Sequence, residues 1–309
     1  MQNRDLNRGV KVAILVDENT KVIVQGITGR EGSLRSKFMK GYGTKVVAGT
    51  SPGRGGEEVD GIPVYNTVKE AVRAKGTIDM SVTFIPAPGL KMAVLEAIDA
   101  GIKYIVSPVE RVPLHDIMEM ISVASKAGVT ILGPGSIGVM SPGKAVAGWL
   151  GGNVEWANQL FQPGSIGVLS RSGGQSGTLP WLLRNGGLGV STAVHTGTEP
   201  ILGTSFADLL FLFEKDEQTL AVAAFGEIGG SQEEEAAEVI KAGRFTKPFV
   251  IYIAGAAAPE GQRFSHASAI VERGRGSVEG KVNALREAGA YPVETPKEIA
   301  PTLKKLLNL

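Results

Sequence analysis

Short apolar runs of strand length alternate along the chain with longer stretches whose apolar residues recur three and four positions apart. KVIVQ reads as a strand, followed by a glycine turn and a helical pattern over residues 33–40. Strands are expected over 44–48, 80–85, 104–106 and 129–132, and helices over 67–74, 89–99 and 115–126. A period of two gives way to a period near 3.6 and back again. Strands alternating with helices in this order predict right-handed βαβ units around a parallel sheet.

The rhythm breaks between residues 133 and 164, where GPGSIGVMSPGKAVAGWLGGNVEWANQLFQPG is rich in glycine and proline. This stretch reads as a connector with some structure of its own. A second α/β series follows, with strands over 165–169, 220–225, 249–253 and 290–293 and a closing helix over 297–307. The expected division is 1–132, a connector 133–164, and 165–309. A length of 309 residues agrees with two domains. No repeat of about 20–50 residues interrupts the series.

Composition narrows the function. Lysine plus arginine is 32 and aspartate plus glutamate 31, so charge gives no case for nucleic acid or an anionic membrane as partner. The chain has no cysteine, which excludes disulfides, thiolate metal sites and a cysteine nucleophile. The N-terminal residues lack the apolar core of a signal peptide, and no apolar run reaches the roughly 18 residues of a membrane span. A cytoplasmic location is expected. The 42 glycines point to tight turns and close backbone approach.

The first glycine cluster, Gly26, Gly29 and Gly32, follows a strand and opens a helix, where amides and the helix N-terminus can face a phosphate. Its G-x-x-G-x-x-G spacing is not that of the dinucleotide enzymes, and Arg54 in a glycine turn stands near the place of their ribose-binding acid. That favours a phosphorylated ribose over NAD. Ser170–Gly177, SRSGGQSG, repeats the strand–turn–helix arrangement in the second series. Glu227, in GEIGG, falls at a strand end, where open α/β sheets place ligands. Glu233–Glu235 read as a solvated helix start, favoured by the macrodipole.

The three histidines, His115, His195 and His266, are far apart and lack metal-ligand spacing, so no metal site is expected. His115 reads as a surface residue near a helix start, and His195 as structural or site-lining. His266, in QRFSHASAI, has small neighbours that leave an imidazole accessible to act as base, ligand or nucleophile.

These segments, in order, resemble the α subunit of succinyl-CoA synthetase and the matching domains of ATP-citrate lyase and citryl-CoA synthetase. NTKVIVQGITGREG, YGTKVVAGTSPGRGG, GIPVYNTVKEAV, PAPG, EAIDAGIK, SRSGG, GEIGG, TKPFV and HASAI carry the resemblance over nearly the whole chain. It implies an N-terminal Rossmann-like CoA-binding domain and a C-terminal flavodoxin-like ligase domain. It also implies a ligase that joins a carboxylic acid to CoA through phosphohistidine and an acyl phosphate. ATP or GTP with Mg would be held on a β-type nucleotide-grasp partner subunit. His266 would carry the phosphoryl group, with Glu227 pairing with it. Ser172, Gly173 and Gly174 would supply the helix N-terminus that stabilises phosphohistidine. Thr28, Gly29, Arg30, Glu31, Arg54, Pro108, Val109 and Glu110 would bind CoA, and Gly197 and Thr198 would face phosphate or the acid.

Departures from the family pattern fall around the acid. Family G-H-A-G-A has serine at both glycine places, Ser265 and Ser268. G-P-N-C-P-G is replaced by GPGSIG over 133–138, and G-I-G-G-D-P by HTGTEP over 195–200. The place of a tyrosine falls on Gly177, and extra residues lie around Trp149 to Phe161. A lost tyrosine enlarges a pocket, which favours citrate over succinate as the acid of a tricarboxylic-acid-cycle type reaction. A succinate ligase subunit is the alternative, and a non-catalytic CoA-binding regulatory protein a third reading.

Overall fold

The computed structural model describes residues 14–255 and 276–309. The first series runs β1 (Lys21–Gln25), α1 (Arg30–Tyr42), β2 (Lys45–Thr50), β3 (Glu58–Val59), β4 (Ile62–Tyr65) and α2 (Val68–Lys75). It continues with β5 (Met80–Thr83), α3 (Leu90–Asp99), β6 (Tyr104–Val106), α4 (Leu114–Ala127) and β7 (Thr130–Leu132). Local chemistry sets the ends. Thr67 caps α2 by accepting the Glu70 N–H, and Gly43 ends α1 at a φ of 114° that other residues avoid.

This sheet has the order β3-β4-β2-β1-β5-β6-β7. All its pairings are parallel except β3 with β4. Without that hairpin strand the order is the doubly wound one, with its switch point between β1 and β5.

The second series begins before residue 165. The stretch 133–164 supplies β8 (Gly138–Ser141), β9 (Ala145–Gly148) and α5 (Val154–Leu160). After it come β10 (Pro163–Ser170), α6 (Gln175–Asn185), β11 (Val190–His195), α7 (Phe206–Lys215) and β12 (Ala221–Glu227). The chain closes with α8 (Gln232–Lys241), β13 (Phe249–Ala254), α9 (Val278–Glu287), β14 (Tyr291–Val293) and α10 (Ile299–Leu307). The sheet order is β14-β13-β12-β10-β11-β8-β9. Its parallel strands have the flavodoxin-like order with the switch point at β10. β8 adds antiparallel to β11, and β9 antiparallel to β8. The connector stretch therefore builds the edge of the second sheet.

All seven residues of β12 are buried, as expected of a parallel strand covered on both faces. In β1 the alternation divides two cores. Ile23 packs with Ala48, Leu90 and Ile105, while Val22 and Val24 join a core that includes Val139, Val146 and Ile166 of the second series. The two sheets thus share apolar packing. The junction is also hydrogen-bonded: Thr44 Oγ1 donates to the Val146 carbonyl at 2.7 Å and accepts its N–H at 3.0 Å. Among the described residues β9 has no neighbouring strand on that side, and Thr44 hydrogen-bonds its edge backbone. Among the described residues no helix is long and apolar enough to cross a membrane.

Candidate functional site

At the first switch point, the loop after β1 turns on Gly26, with φ +83°, and leads into α1. A Cβ on Gly32 would land on the Gly26 carbonyl oxygen, and one on Gly26 on that of Phe84. Gly29 is different: it is extended, and among the described residues a Cβ there meets the Gly26 oxygen at 3.3 Å, a tight contact but not an overlap. Steric demand for glycine therefore falls on Gly26 and Gly32. Gly29 is the N-cap of α1 and provides no side-chain cap, so the first-turn amides of α1 stay available to an anion.

Thr28 Oγ1 donates to Ser51 Oγ at 2.7 Å, and the Arg54 N–H donates to the Ser51 carbonyl. Ser51 thereby joins the Thr28 loop to the turn carrying Arg54. Asn66 braces that turn by accepting the N–H groups of Gly53 and Gly55. Arg54 itself is exposed and paired with Glu57 at 2.7 Å. Its hydrogen bond to Glu57 and the accompanying charge attraction hold its pKa above the usual arginine value. Arg30 and Glu31 are exposed, with Glu31 paired to Arg35.

Pro108, Val109 and Glu110 follow β6, two strands from β1, and bind the second unit. Val109 O accepts the Gly135 N–H at 2.8 Å, and Glu110 Oε1 accepts the Thr198 hydroxyl at 3.2 Å. The next residue, Arg111, holds φ +59° and donates its N–H to the buried Glu199 carboxylate at 2.5 Å. Gly197 packs so closely on Pro134 that a Cβ would land on its carbonyl oxygen.

At the second switch point the carboxyl ends of β10, β11 and β12 lie side by side, with Ser170 in register with His195 and Phe225. Gly174 is the N-cap of α6, again without a side-chain cap. The Ser170 hydroxyl accepts the Ser172 N–H, and Ser172 O accepts the Ser176 N–H. Helix geometry then leaves the amides of Gly173, Gly174 and Gln175 for a ligand. His195 is fully buried and locked as a neutral tautomer. Its Nδ1 accepts the Ile137 N–H at 3.0 Å, so Nε2 carries the proton donated to the Arg171 carbonyl at 3.2 Å. It ties the 133–138 segment to the β10–α6 turn. His115 is exposed in the first turn of α4.

Glu227 ends β12 with 8% exposure. Arg171, only 1% exposed, places Nε 3.6 Å from its carboxylate. Arg171 Nη1 donates to the carbonyls of Glu227 and Gly229 and to Glu233. Burial alone lowers the Arg171 pKa, but the Glu233 and Glu227 carboxylates outweigh it and leave the guanidinium more firmly charged.

Glu233 corrects the sequence expectation of a solvated acid. It is fully buried, ion-paired to Arg171 at 3.1 Å and to Lys281, and it accepts the Glu227 N–H at 3.1 Å. Burial raises its pKa, and the two cations override this to leave it lowered. Nothing local to QEEEA signals the burial, because both cations come from distant elements. Lys281 likewise lies in an amphipathic helix, where a lysine reads as solvent-facing. His266, with Ser265 and Ser268, lies outside the described residues. Among the described residues no cluster of three or more metal-ligating side chains is present.

The two switch points therefore each present a glycine-opened helix N-terminus beside strand ends, and the second adds a buried carboxylate with its cation. Comparison with known proteins decides the family. A CoA-binding domain model matches residues 17–110 and a CoA-ligase model residues 169–291. The chain is 48% identical over 296 residues to the succinate–CoA ligase [ADP-forming] subunit alpha 2 of Archaeoglobus fulgidus, covering 96% of this chain and all of that protein. The chain belongs to the α-subunit family of ADP-forming acid–CoA ligases.

Within this family it is also 40% identical over 297 residues to the ADP-forming sulfoacetate–CoA ligase subunit SauD of Bilophila wadsworthia, covering 96% and 100% of the two chains. Among solved structures, ATP citrate lyase from Methanothrix soehngenii in complex with citrate and coenzyme A superposes with a TM-score of 0.86 at 25% identity. That match covers 96% of this chain, which spans about half (51%) of the lyase chain. The CoA-ligase match includes the turn of Ser172–Gly174, Glu227, Glu233 and Lys281 as well as His266.

Proposed function

We propose that the chain is the catalytic α-type subunit of an ADP-forming acid–CoA ligase, acting with a β-type nucleotide-grasp subunit that holds ATP and Mg. The observation that carries this reading is the convergence at β10 of an uncapped helix N-terminus and Glu227 held by Arg171. A phosphoryl group on a nearby imidazole would be stabilised by the Gly173 and Gly174 amides. The Glu227 carboxylate would orient that imidazole and support its positive charge.

Under this reading His266 attacks the γ-phosphorus, and the bond to the ADP oxygen breaks. A carboxylate oxygen of the acid then takes the phosphoryl group as the P–N bond breaks, giving an acyl phosphate. The CoA thiolate attacks the acyl carbon, and inorganic phosphate leaves. The α1 N-terminus, with Thr28, Gly29, Arg30, Glu31 and Arg54, would bind the CoA phosphates. Pro108–Glu110 and Gly197–Thr198, hydrogen-bonded to each other, would lie where CoA and the acid meet.

For the acid, citrate is proposed ahead of succinate. Among the described residues a Cβ on Gly177 would be in ordinary contact with Leu160 Cδ1 at 3.9 Å, so the glycine is not demanded by packing there and leaves out the bulk of the family tyrosine. The likeness to a lyase structure holding citrate and CoA supports the same choice. Succinate is the second reading, favoured by the 48% identity to a succinate–CoA ligase subunit.

The test is to co-purify the chain with its β-type partner and screen acids for CoA-thioester formation with ATP. Faster turnover of citrate than of succinate is expected. Efficient succinate turnover with none on citrate reverses the acid assignment. CoA binding without thioester formation from any acid would instead support a regulatory CoA-binding protein.

A further inference from the structure

The turn Glu227–Gly230 is held through its backbone by three buried charged side chains. Glu233 accepts the Glu227 N–H at 3.1 Å. Arg171 Nη1 donates to Glu227 O at 3.0 Å and to Gly229 O at 2.8 Å. Lys281 Nζ, from α9, donates to Gly230 O at 3.1 Å and also pairs with Glu233 and, at 2.8 Å, Glu234. Glu233 sits between the two cations. Gly226 and Gly230 make room for them: a Cβ at 226 would lie 2.6 Å from Glu233 Oε1, and one at 230 would lie 3.3 Å from Arg171 Nη2.

The same turn receives the chain on both sides of residues 256–275. The Ile228 N–H donates to Ala254 O at 3.1 Å, and the Gly229 N–H to Gly276 O at 2.8 Å. The network therefore fixes one short turn against the ends of β10, β12 and β13 and the start of α9.

A buried ion network is a poor stability device. Apolar residues of similar volume often fill such a space at equal or lower free energy, because they avoid desolvating charge. What charges add is directional: a guanidinium fork accepts only one arrangement of oxygens around it. The arrangement here places a carboxylate, that of Glu227, at the carboxyl end of the switch-point strand.

We propose that Arg171, Glu233 and Lys281 are positioning residues: Lys281 anchors Glu233, Glu233 orients the Arg171 fork, and the fork sets the turn and carboxylate of Glu227. This rests on the reading of Glu227 as the partner of the phosphoryl carrier. Lys281 acts on Glu227 without touching it, through Glu233 and through the Gly230 carbonyl of the same turn.

The test uses the complex with the β-type partner and γ-labelled ATP. Lys281→Met alone is expected to lower both Tm and the labelling rate, since it leaves Glu233 short of a cation. Combining it with Glu233→Gln removes the imbalance but not the loss of orientation. In that double variant Tm is expected to return to within a few degrees of wild type while labelling stays at least about tenfold slow, with CoA affinity unchanged. Labelling within about twofold of wild type would overturn the proposal and leave the network a purely structural one.

If the double variant does not fold, Arg171→Lys carries the same test, because it keeps the charge and loses the fork. Labelling at least about tenfold slow is again expected, and near-wild-type labelling again overturns the proposal. Wild-type complex run alongside separates the two levels. Absence of label there sinks the phosphoryl reading itself, whereas label in wild type and in both variants sinks only the network.

Discussion

At the scale of single residues, the glycines of the first loop divide by what a methyl group would meet. Gly32→Ala drives Cβ into a backbone oxygen and is expected to cost about 1–3 kcal/mol, read as a lowered Tm. Gly29→Val is expected to lower Tm less than Gly32→Ala, since its Cβ meets the Gly26 oxygen at 3.3 Å rather than 2.1 Å, and to weaken CoA binding by about tenfold or more because it faces the candidate phosphate site; unchanged CoA affinity, measured by titration calorimetry, would remove the site from this loop. The buried acid Glu233 gives a pH signature. Its pKa is lowered below 4.5, so its contribution is present above the unfolded value and is lost as pH falls through the folded one. Thermal denaturation should show Tm falling below about pH 4.5, and the slope should be shallower in Glu233→Gln. Equal slopes would show that Glu233 does not contribute that way. This residue was illegible in the sequence, because its charge partners Arg171 and Lys281 lie 62 and 48 positions away. Glu227 was legible, because a lone acid in a glycine turn at a strand end has a place fixed by topology.

Elements show the same division between local and distant causes. Strands such as β12 and β13 were legible as unbroken apolar runs, since a parallel strand covered on both faces has no polar side to show. β8 and β9 were not, and the reason is Gly138 and Gly148, where the chains approach so closely that a Cβ on Gly138 would land on the Ala147 oxygen and one on Gly148 on the Ile137 oxygen. Glycine placed for cross-strand approach reads in one dimension as a turn. The stretch 133–164 accordingly resembled a connector, whereas it supplies the sheet edge that meets the first unit. Thr44 seals that edge with two hydrogen bonds, so Thr44→Val should leave a buried N–H and carbonyl unpaired. The expected cost is about 1–3 kcal/mol, seen as a Tm lower by several degrees. A Tm equal to wild type would mean that the junction does not contribute to stability.

For the whole molecule, the two switch points lie in one chain joined through Glu110–Thr198 and Arg111–Glu199, and under the proposed reading this junction would bring the CoA and phosphoryl sites together. The doubly wound architecture of both sheets followed from the strand–helix alternation, while the packing of one face of the first sheet into the core of the second did not. Val22, Val24 and Ile23 read as one apolar run, and only the fold shows that they face different cores. The chain alone is expected to bind CoA but not to turn over ATP with any acid, because the nucleotide is assigned to the partner. Acid-dependent ATP turnover by the isolated chain would contradict that assignment. The central claim is that His266 carries the phosphoryl group beside Glu227. Its most direct measurement is labelling of the complex from γ-labelled ATP, with wild type compared to His266→Asn and Glu227→Gln. The account predicts an acid-labile, alkali-stable label on wild type, a slower label on Glu227→Gln, and none on a folded, CoA-binding His266→Asn. A label retained by His266→Asn would contradict it.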